Sequence, residues 1–197
     1  VAQDSWPTRQ IQIIVPLPAG SAADTVARLV GSKLSERLRQ TVIVINRDGA
    51  SGTIGTQQVA KAEPDGYTLG LATSTTLVTA PILDRRIPYD AERDFAPVAM
   101  IGYSPYVLVT NSSVPAKTVT EFIALAKAKP GTLNYSSGTT GTSSHLAGQW
   151  FQSMAGVNIV RVPYKGAGPA LTAAMSGEVQ VLMAASGSIS GPIKTGR

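Results

Sequence analysis

The chain has 197 residues, with 17 Lys plus Arg, 12 Asp plus Glu and a formal charge of +5 at pH 7. A hydrophobic content of 43% is enough for a core and excludes disorder, and no apolar run approaches the ~20 residues of a membrane span. The composition therefore predicts a soluble chain of one or two domains with no membrane insertion. The absence of cysteine and the single histidine, His145, exclude disulfides, thiolate chemistry and two-imidazole metal sites, so neither a metal nor a cofactor is expected.

The charge is unevenly spread. Residues 1–100 carry ten basic and ten acidic side chains, whereas residues 101–197 carry seven basic side chains and only two acidic ones, Glu121 and Glu178. The second half is thus a lobe whose field attracts anions. Its basic residues are scattered singly, with no aromatic and arginine platform, which argues against a nucleic-acid partner.

The opening Val1-Ala2-Gln3-Asp4-Ser5, without Met, suits an exported chain whose signal peptide has been removed. Alternating, β-branched Gln10 to Val15 reads as a strand, stopped by Pro16 to Gly20. Ala23, Val26, Ala27, Val30, Leu34 and Leu38 form one apolar face of a helix between Asp24 and Arg39, and Thr41 to Ile45 follows as a strand. Strand, helix and strand over this length imply a parallel βαβ unit. A glycine-spaced loop, Asp48 to Gly52, leads to a helix through Ile54 and Val59, a turn at Pro64 to Gly66, and a strand over Tyr67 to Leu71. The segment 77–95 carries no clear pattern. Val98 to Val109 reads as strand on both sides of Ser104-Pro105, and a hinge is expected near 101–105.

The second half alternates in the same manner. A helix is predicted over Val119 to Lys129, a strand over Leu133 to Ser136, and a polar loop over Ser137 to Ser143. Helix His145 to Met154, strand Asn158 to Val162, helix Pro169 to Met175 and strand Val179 to Met183 complete it, before a weakly helical end. Alternation on both sides of the compositional break predicts two α/β lobes, 1–100 and 101–197.

Two strand-to-helix loops carry candidate chemistry. In Pro18-Ala19-Gly20-Ser21-Ala22-Ala23-Asp24, small residues admit a bound group close to the backbone, and the helix start favours negative charge. The same stretch also reads as an ordinary turn with an N-cap, in which Asp24 either caps the helix or faces a ligand cation. The second loop, Ser136 to Ser144, is dense in hydroxyls around Gly138 and Gly141 and lacks any fixed charge. It predicts a carboxylate or phosphate held by neutral donors and a helix dipole, without a buried arginine. His145 either bonds that loop or touches a ligand.

Other motifs fail. Gly166-Ala167-Gly168-Pro169-Ala170-Leu171 has Leu171 where a dinucleotide fingerprint needs its third glycine, and neither a P-loop nor a Gly-x-Ser-x-Gly elbow occurs. A serine hydrolase using Ser143 or Ser144 with His145 is the alternative function, though no acid stands nearby in the sequence. A sensory or protein-interaction module is a further one.

Several motifs together resemble a known family. They are Trp6-Pro7 with Ile13 to Pro16, Pro18 to Asp24 with Ala27-Arg28, and Asn46 to Gly55 as Asn-x-x-Gly-Ala-x-Gly-x-Ile-Gly. Pro64 to Leu69, Asp94 to Val98, Asn134 to Gly138, Gly141 to Leu146 and Val162 to Gly166 continue the match. In these the chain is similar to the periplasmic solute-binding receptors of tripartite tricarboxylate transporters, the Bug receptors. The resemblance implies a two-lobed periplasmic-binding-protein (Venus flytrap) α/β fold, closing on a small organic acid for the membrane permease subunits of such a transporter. It implies that Pro18, Ala19, Gly20, Ser21, Ala22 and Asp24, with Ser74 and Thr75, line the first lobe's wall. Ser137, Gly138, Thr139, Thr142, Ser143 and His145 would receive the carboxylate from the second. Ala184, where many relatives have an aspartate, is its remaining candidate contact. The sequence stops at Arg197, ahead of the segment that completes the second lobe and returns to the first in that family.

Overall fold

β1 (Ile11–Val15) forms the centre of the first of two sheets, because it is apolar on both faces and buried along nearly its whole length. The computed structural model describes residues 6–195 and divides the chain into two compact units, Val1–Ala99 and Met100–Arg197. The expected processed terminus at Val1 to Ser5 lies outside the described residues.

In the first unit β1 is followed by α1 (Ala22–Leu38), β2 (Val42–Asn46), α2 (Thr53–Ala60) and β3 (Thr68–Gly70). The strand order is β2-β1-β3 and every pairing is parallel, with Ile13 opposite both Val44 and Leu69. α1 lies on the sheet through Ala27, packed with Ile13 and Val15, and through Gly31, whose bare backbone admits Ile13, Val42 and Val44. α2 approaches as closely: a Cβ on Gly55 would stand 2.5 Å from the Arg47 carbonyl oxygen. The segment without a clear sequence pattern holds a π-helical turn, Thr75–Thr79, running into α3 (Ala80–Leu83).

The second unit runs β4 (Tyr106–Thr110), α4 (Val119–Ala128), β5 (Asn134–Ser137), α5 (Ser143–Ala155), β6 (Val160–Pro163), α6 (Ala167–Ser176), β7 (Val181–Ala185) and α7 (Ser186–Lys194). Its order is β4-β7-β5-β6, with β5 parallel to β6 and β7, and β4 antiparallel to β7. Both faces are covered. Leu182 and Ala184 of β7 pack with Ala170, Ala173, Ala174 and Ile189 from α6 and α7, while Val181 packs on the opposite face with Tyr135, Phe122 and Ala126. This alternation is the pleat of a strand buried on both sides.

One expectation is corrected. Of the stretch Val98 to Val109, only residues 106–109 join a ladder, as part of β4, and Val98, Met100 and Tyr103 are exposed. The apolar spacing there has no partner strand, and a strand needs one to satisfy its N–H and C=O groups.

Parallel strands place their following loops at one edge. In the first unit these are the loops after β1, β2 and β3. In the second they are Gly138 to Thr142 after β5 and the segments after β6 and β7, joined by Tyr106, which pairs with Ala185 as β4 begins. Open α/β sheets hold ligands outside this carboxyl edge.

Candidate functional site

The first unit's loop is organised by Asp24. Ser21, not Asp24, is the N-cap of α1, and its Oγ accepts from the Asp24 N–H at 3.2 Å. The Asp24 side chain turns back: Oδ2 accepts from Gly20 N–H at 2.9 Å and from Arg28 Nε at 3.1 Å, and Oδ1 accepts from Asn46 Nδ2 at 3.0 Å. Arg28 Nη2 lies 3.0 Å from Oδ1 and also donates to Asn46 Oδ1. With the residue 4% exposed, all of its acceptor capacity faces protein. The Arg28 bonds foremost, then the Gly20 N–H, hold its carboxyl below the ordinary value despite burial. The N-cap is therefore Ser21 and not Asp24, and the cation that the Asp24 carboxylate meets in this structure is the Arg28 guanidinium.

Pro18, Ala19, Gly20, Ser21 and Ala22 remain together at the carboxyl edge, with Ser21 N–H bonded to the Pro18 carbonyl and Gly20 at φ +80°. Asn46 Nδ2 donates to Leu17 O at 3.1 Å and so ties the end of β2 to this turn. Ser74 is exposed and Thr75 is buried where the chain leaves β3. The three loops of this edge meet at Gly52: a Cβ there would lie 2.6 Å from Thr76 Cγ2 and 3.0 Å from Pro16 O.

The second unit's loop differs in one respect: its helix has no side-chain cap. Thr142 stands at the N-cap of α5 but makes no capping bond; its Oγ1 donates to Thr139 O at 2.8 Å and shares a hydrogen bond with Ser144 Oγ at 3.2 Å. Ser144 Oγ accepts from Gly138 N–H at 2.9 Å, and His145 Nδ1 accepts from Gly141 N–H at 3.2 Å. Desolvation of the Tyr106 hydroxyl foremost, against its hydrogen bond with Ser143, raises the Tyr106 pKa. Gly138, Thr139, Thr142, Ser143 and His145 are thus assembled in one short turn, cross-linked by their own side chains.

Three expectations need correcting here. Ser137 is 0% exposed, and its Oγ donates to Gly138 O and accepts from Arg161 Nε at 2.8 Å, so the strand pleat turns it inward and its hydroxyl is engaged within the protein. Ala184 lies in the apolar cluster with Leu182 and Ile189 and is not a lining residue. The loop is also not free of fixed charge. Arg161 of β6, half-buried, donates through Nη1 to Thr140 Oγ1 at 3.2 Å and through Nη2 to Gly138 O at 2.9 Å. Arg161 and Tyr106 were not legible as site residues. The one available signal was a lone charge in the apolar strand Val160–Pro163, two residues out of register with Ser137.

Burial foremost, then the Arg161 charge, lower the His145 pKa from its ordinary value. The imidazole is therefore neutral at pH 7, and the nitrogen able to accept a proton is occupied by Gly141 N–H. A serine hydrolase needs that nitrogen facing its nucleophile. The acids of this unit are engaged elsewhere, Glu121 with the Lys117 N–H and Glu178 with the Tyr164 hydroxyl. No serine, histidine and acid triad is assembled among the described residues, and none of the described helices is long and apolar enough to cross a membrane.

Comparison with known proteins bears on this geometry. The family model "Tripartite tricarboxylate transporter family receptor" (TctC) matches residues 26–197. Among curated proteins the chain is 41% identical over 180 residues to Protein BugT of Bordetella pertussis, covering 91% of this chain and 55% of that protein. Among solved structures it is similar to Rpa4515 of R. palustris with adipate, at 35% identity and a TM-score of 0.93, covering 97% of this chain and 64% of that one. It is also similar to MatC of Rhodopseudomonas palustris with bound malate, at 30% identity and a TM-score of 0.86, with coverages of 97% and 65%. The chain spans about half the length of the curated relatives it matches.

Proposed function

The chain belongs to the tripartite tricarboxylate transporter receptor family, and from that premise we propose that it captures a small organic acid outside the cytoplasm, in the periplasm, for a membrane permease. Its fold is that of the periplasmic binding proteins. One carboxylate of the acid is received by the loop Gly138 to Thr142 and the start of α5. In the first unit, taken by itself, the loop Pro18 to Ala22 with Ser74 and Thr75 is the candidate ligand-contacting edge.

The observation that carries this reading is the contrast between two helix starts. α1 is closed by its own hydroxyl and carboxylate, Ser21 and Asp24, so a second anion there would meet a like charge. α5 presents its positive dipole end and first N–H groups with no side-chain cap. The adipate and malate bound in the two R. palustris structures are dicarboxylates, which supports the same class of ligand here.

Thermal denaturation of the chain against a panel of mono-, di- and tricarboxylates tests the proposal. An acid present at about a hundred times its Kd stabilises the folded state by ~2.7 kcal/mol. A flat response from folded protein to every acid overturns it.

A further inference from the structure

All five ion pairs among the described residues lie in the first unit, at Arg9, Arg28, Lys33, Arg86 and Arg93. The described residues of the second unit have none, and its two acids are engaged with the Lys117 N–H and the Tyr164 hydroxyl. Arg161 is nevertheless no surface residue. It is half-buried and clamped by donation to Ser137 Oγ, Thr140 Oγ1 and Gly138 O, so a full positive charge sits against the loop with no carboxylate opposite it.

We propose that Arg161 is the specificity-determining charge of this loop, making it accept an ionised carboxylate and refuse the uncharged amide of the same shape. The inference rests on the receptor function argued above. Hydroxyls can donate or accept as a partner requires, so neutral groups alone separate a carboxylate from its amide weakly. A fixed charge does not adapt, and in a partly desolvated site it favours the anion. The neutral His145 beside it adds no second cation, since the Arg161 charge and burial both oppose its protonation. The guanidinium acts on the ligand through the loop it braces, so it is a positioning residue that also supplies the field.

The test compares adipate and malate with their diamides by titration calorimetry on the full chain, in wild type, Arg161→Gln and Arg161→Lys. Wild type is expected to bind the acids and reject the diamides. Arg161→Gln should weaken the acids about tenfold to a hundredfold and leave the diamides unchanged. Arg161→Lys keeps the charge and loses the fork, so it should retain the discrimination at lower affinity for the acids. Unchanged affinity for the acids in Arg161→Gln, or diamides bound by wild type as tightly as the acids, overturns the proposal and leaves the receptor reading standing. A wild-type chain that binds no acid of the mono-, di- and tricarboxylate panel overturns both. A second readout needs no ligand: NMR titration of His145 in Arg161→Gln should show its pKa rising toward the ordinary value with the fold intact, and an unmoved titration overturns the charge role.

Discussion

Gly148 shows how one side chain's absence sets the position of a helix. It lies inside α5, where a Cβ would stand 2.3 Å from Cε2 and 2.7 Å from Cζ of Tyr135. That ring is 0% exposed, and its hydroxyl accepts from Gln149 Nε2, so it cannot swing aside. Gly148→Ala is therefore expected to lower stability by about 1–3 kcal/mol through overpacking, read as a fall in the urea midpoint at unchanged m-value. Gly156 is the control. It ends α5 at φ +61° with only Lys127 Cε at 4.0 Å, so Gly156→Ala should cost about 1 kcal/mol from backbone strain alone. If the two variants are equally destabilised, the contact with Tyr135 does not set the helix position. The same scale shows what the sequence hid. Hydroxyls at 137, 139 and 142 are visible in the chain, but which of them turns inward depends on where β5 ends. The strand continues to Ser137, one residue beyond the alternation that predicts it, and that residue's hydroxyl is buried under Arg161. The guanidinium itself arrives from β6, 24 residues away, with nothing in the intervening chain to announce it.

At the level of elements, periodicity located the helices other than α3, and the parallel strands, to within a few residues, because each has apolar positions with a partner to bury them, whereas α3 has no buried residue. The π-helical turn at Thr75–Thr79 escaped notice because Thr73, Thr76 and Tyr89 hold it by polar bonds, which leave no hydrophobic period. The start of α1 shows the same kind of local polar device. Ser21→Ala removes the cap and is expected to destabilise by about 1 kcal/mol. Asp24→Ala removes the acceptor for Gly20, Arg28 and Asn46 together, and should cost about 2–3 kcal/mol. The folded-state pKa of Asp24 is lowered from 3.8, so its contribution is complete above that value and is lost as pH falls through the folded pKa. Stability measured between pH 6 and pH 2 should accordingly fall less steeply in Asp24→Asn than in wild type. Parallel acid limbs in the two proteins would place the carboxylate's bonds outside the energetics of folding.

Across the whole molecule, the split in charge was legible from composition, and its structural consequence is that ion pairing among the described residues lies in the first unit. Stabilisation of residues 100–197 must then come from burial. That unit has a four-stranded sheet with apolar clusters on both faces, one centred on Leu182, Ile189 and α6, the other on Phe122, Tyr135 and Val181. The first unit has three strands and a smaller buried cluster of Ile13, Val15 and Ala27. Surface ion pairs contribute little, commonly ~0–1 kcal/mol each, so the four exposed pairs of the first unit, at Arg9, Lys33, Arg86 and Arg93, do not offset its smaller core. A fragment of residues 100–197 is therefore expected to fold by itself, with a cooperative urea transition and an m-value of about 1 kcal/mol/M, as suits a domain of that size. Residues 1–99 alone should unfold at a lower midpoint. Circular dichroism of the two fragments decides the matter. A broad, non-cooperative transition for 100–197, with exposed apolar surface at neutral pH, would mean that the two clusters are not sufficient for folding.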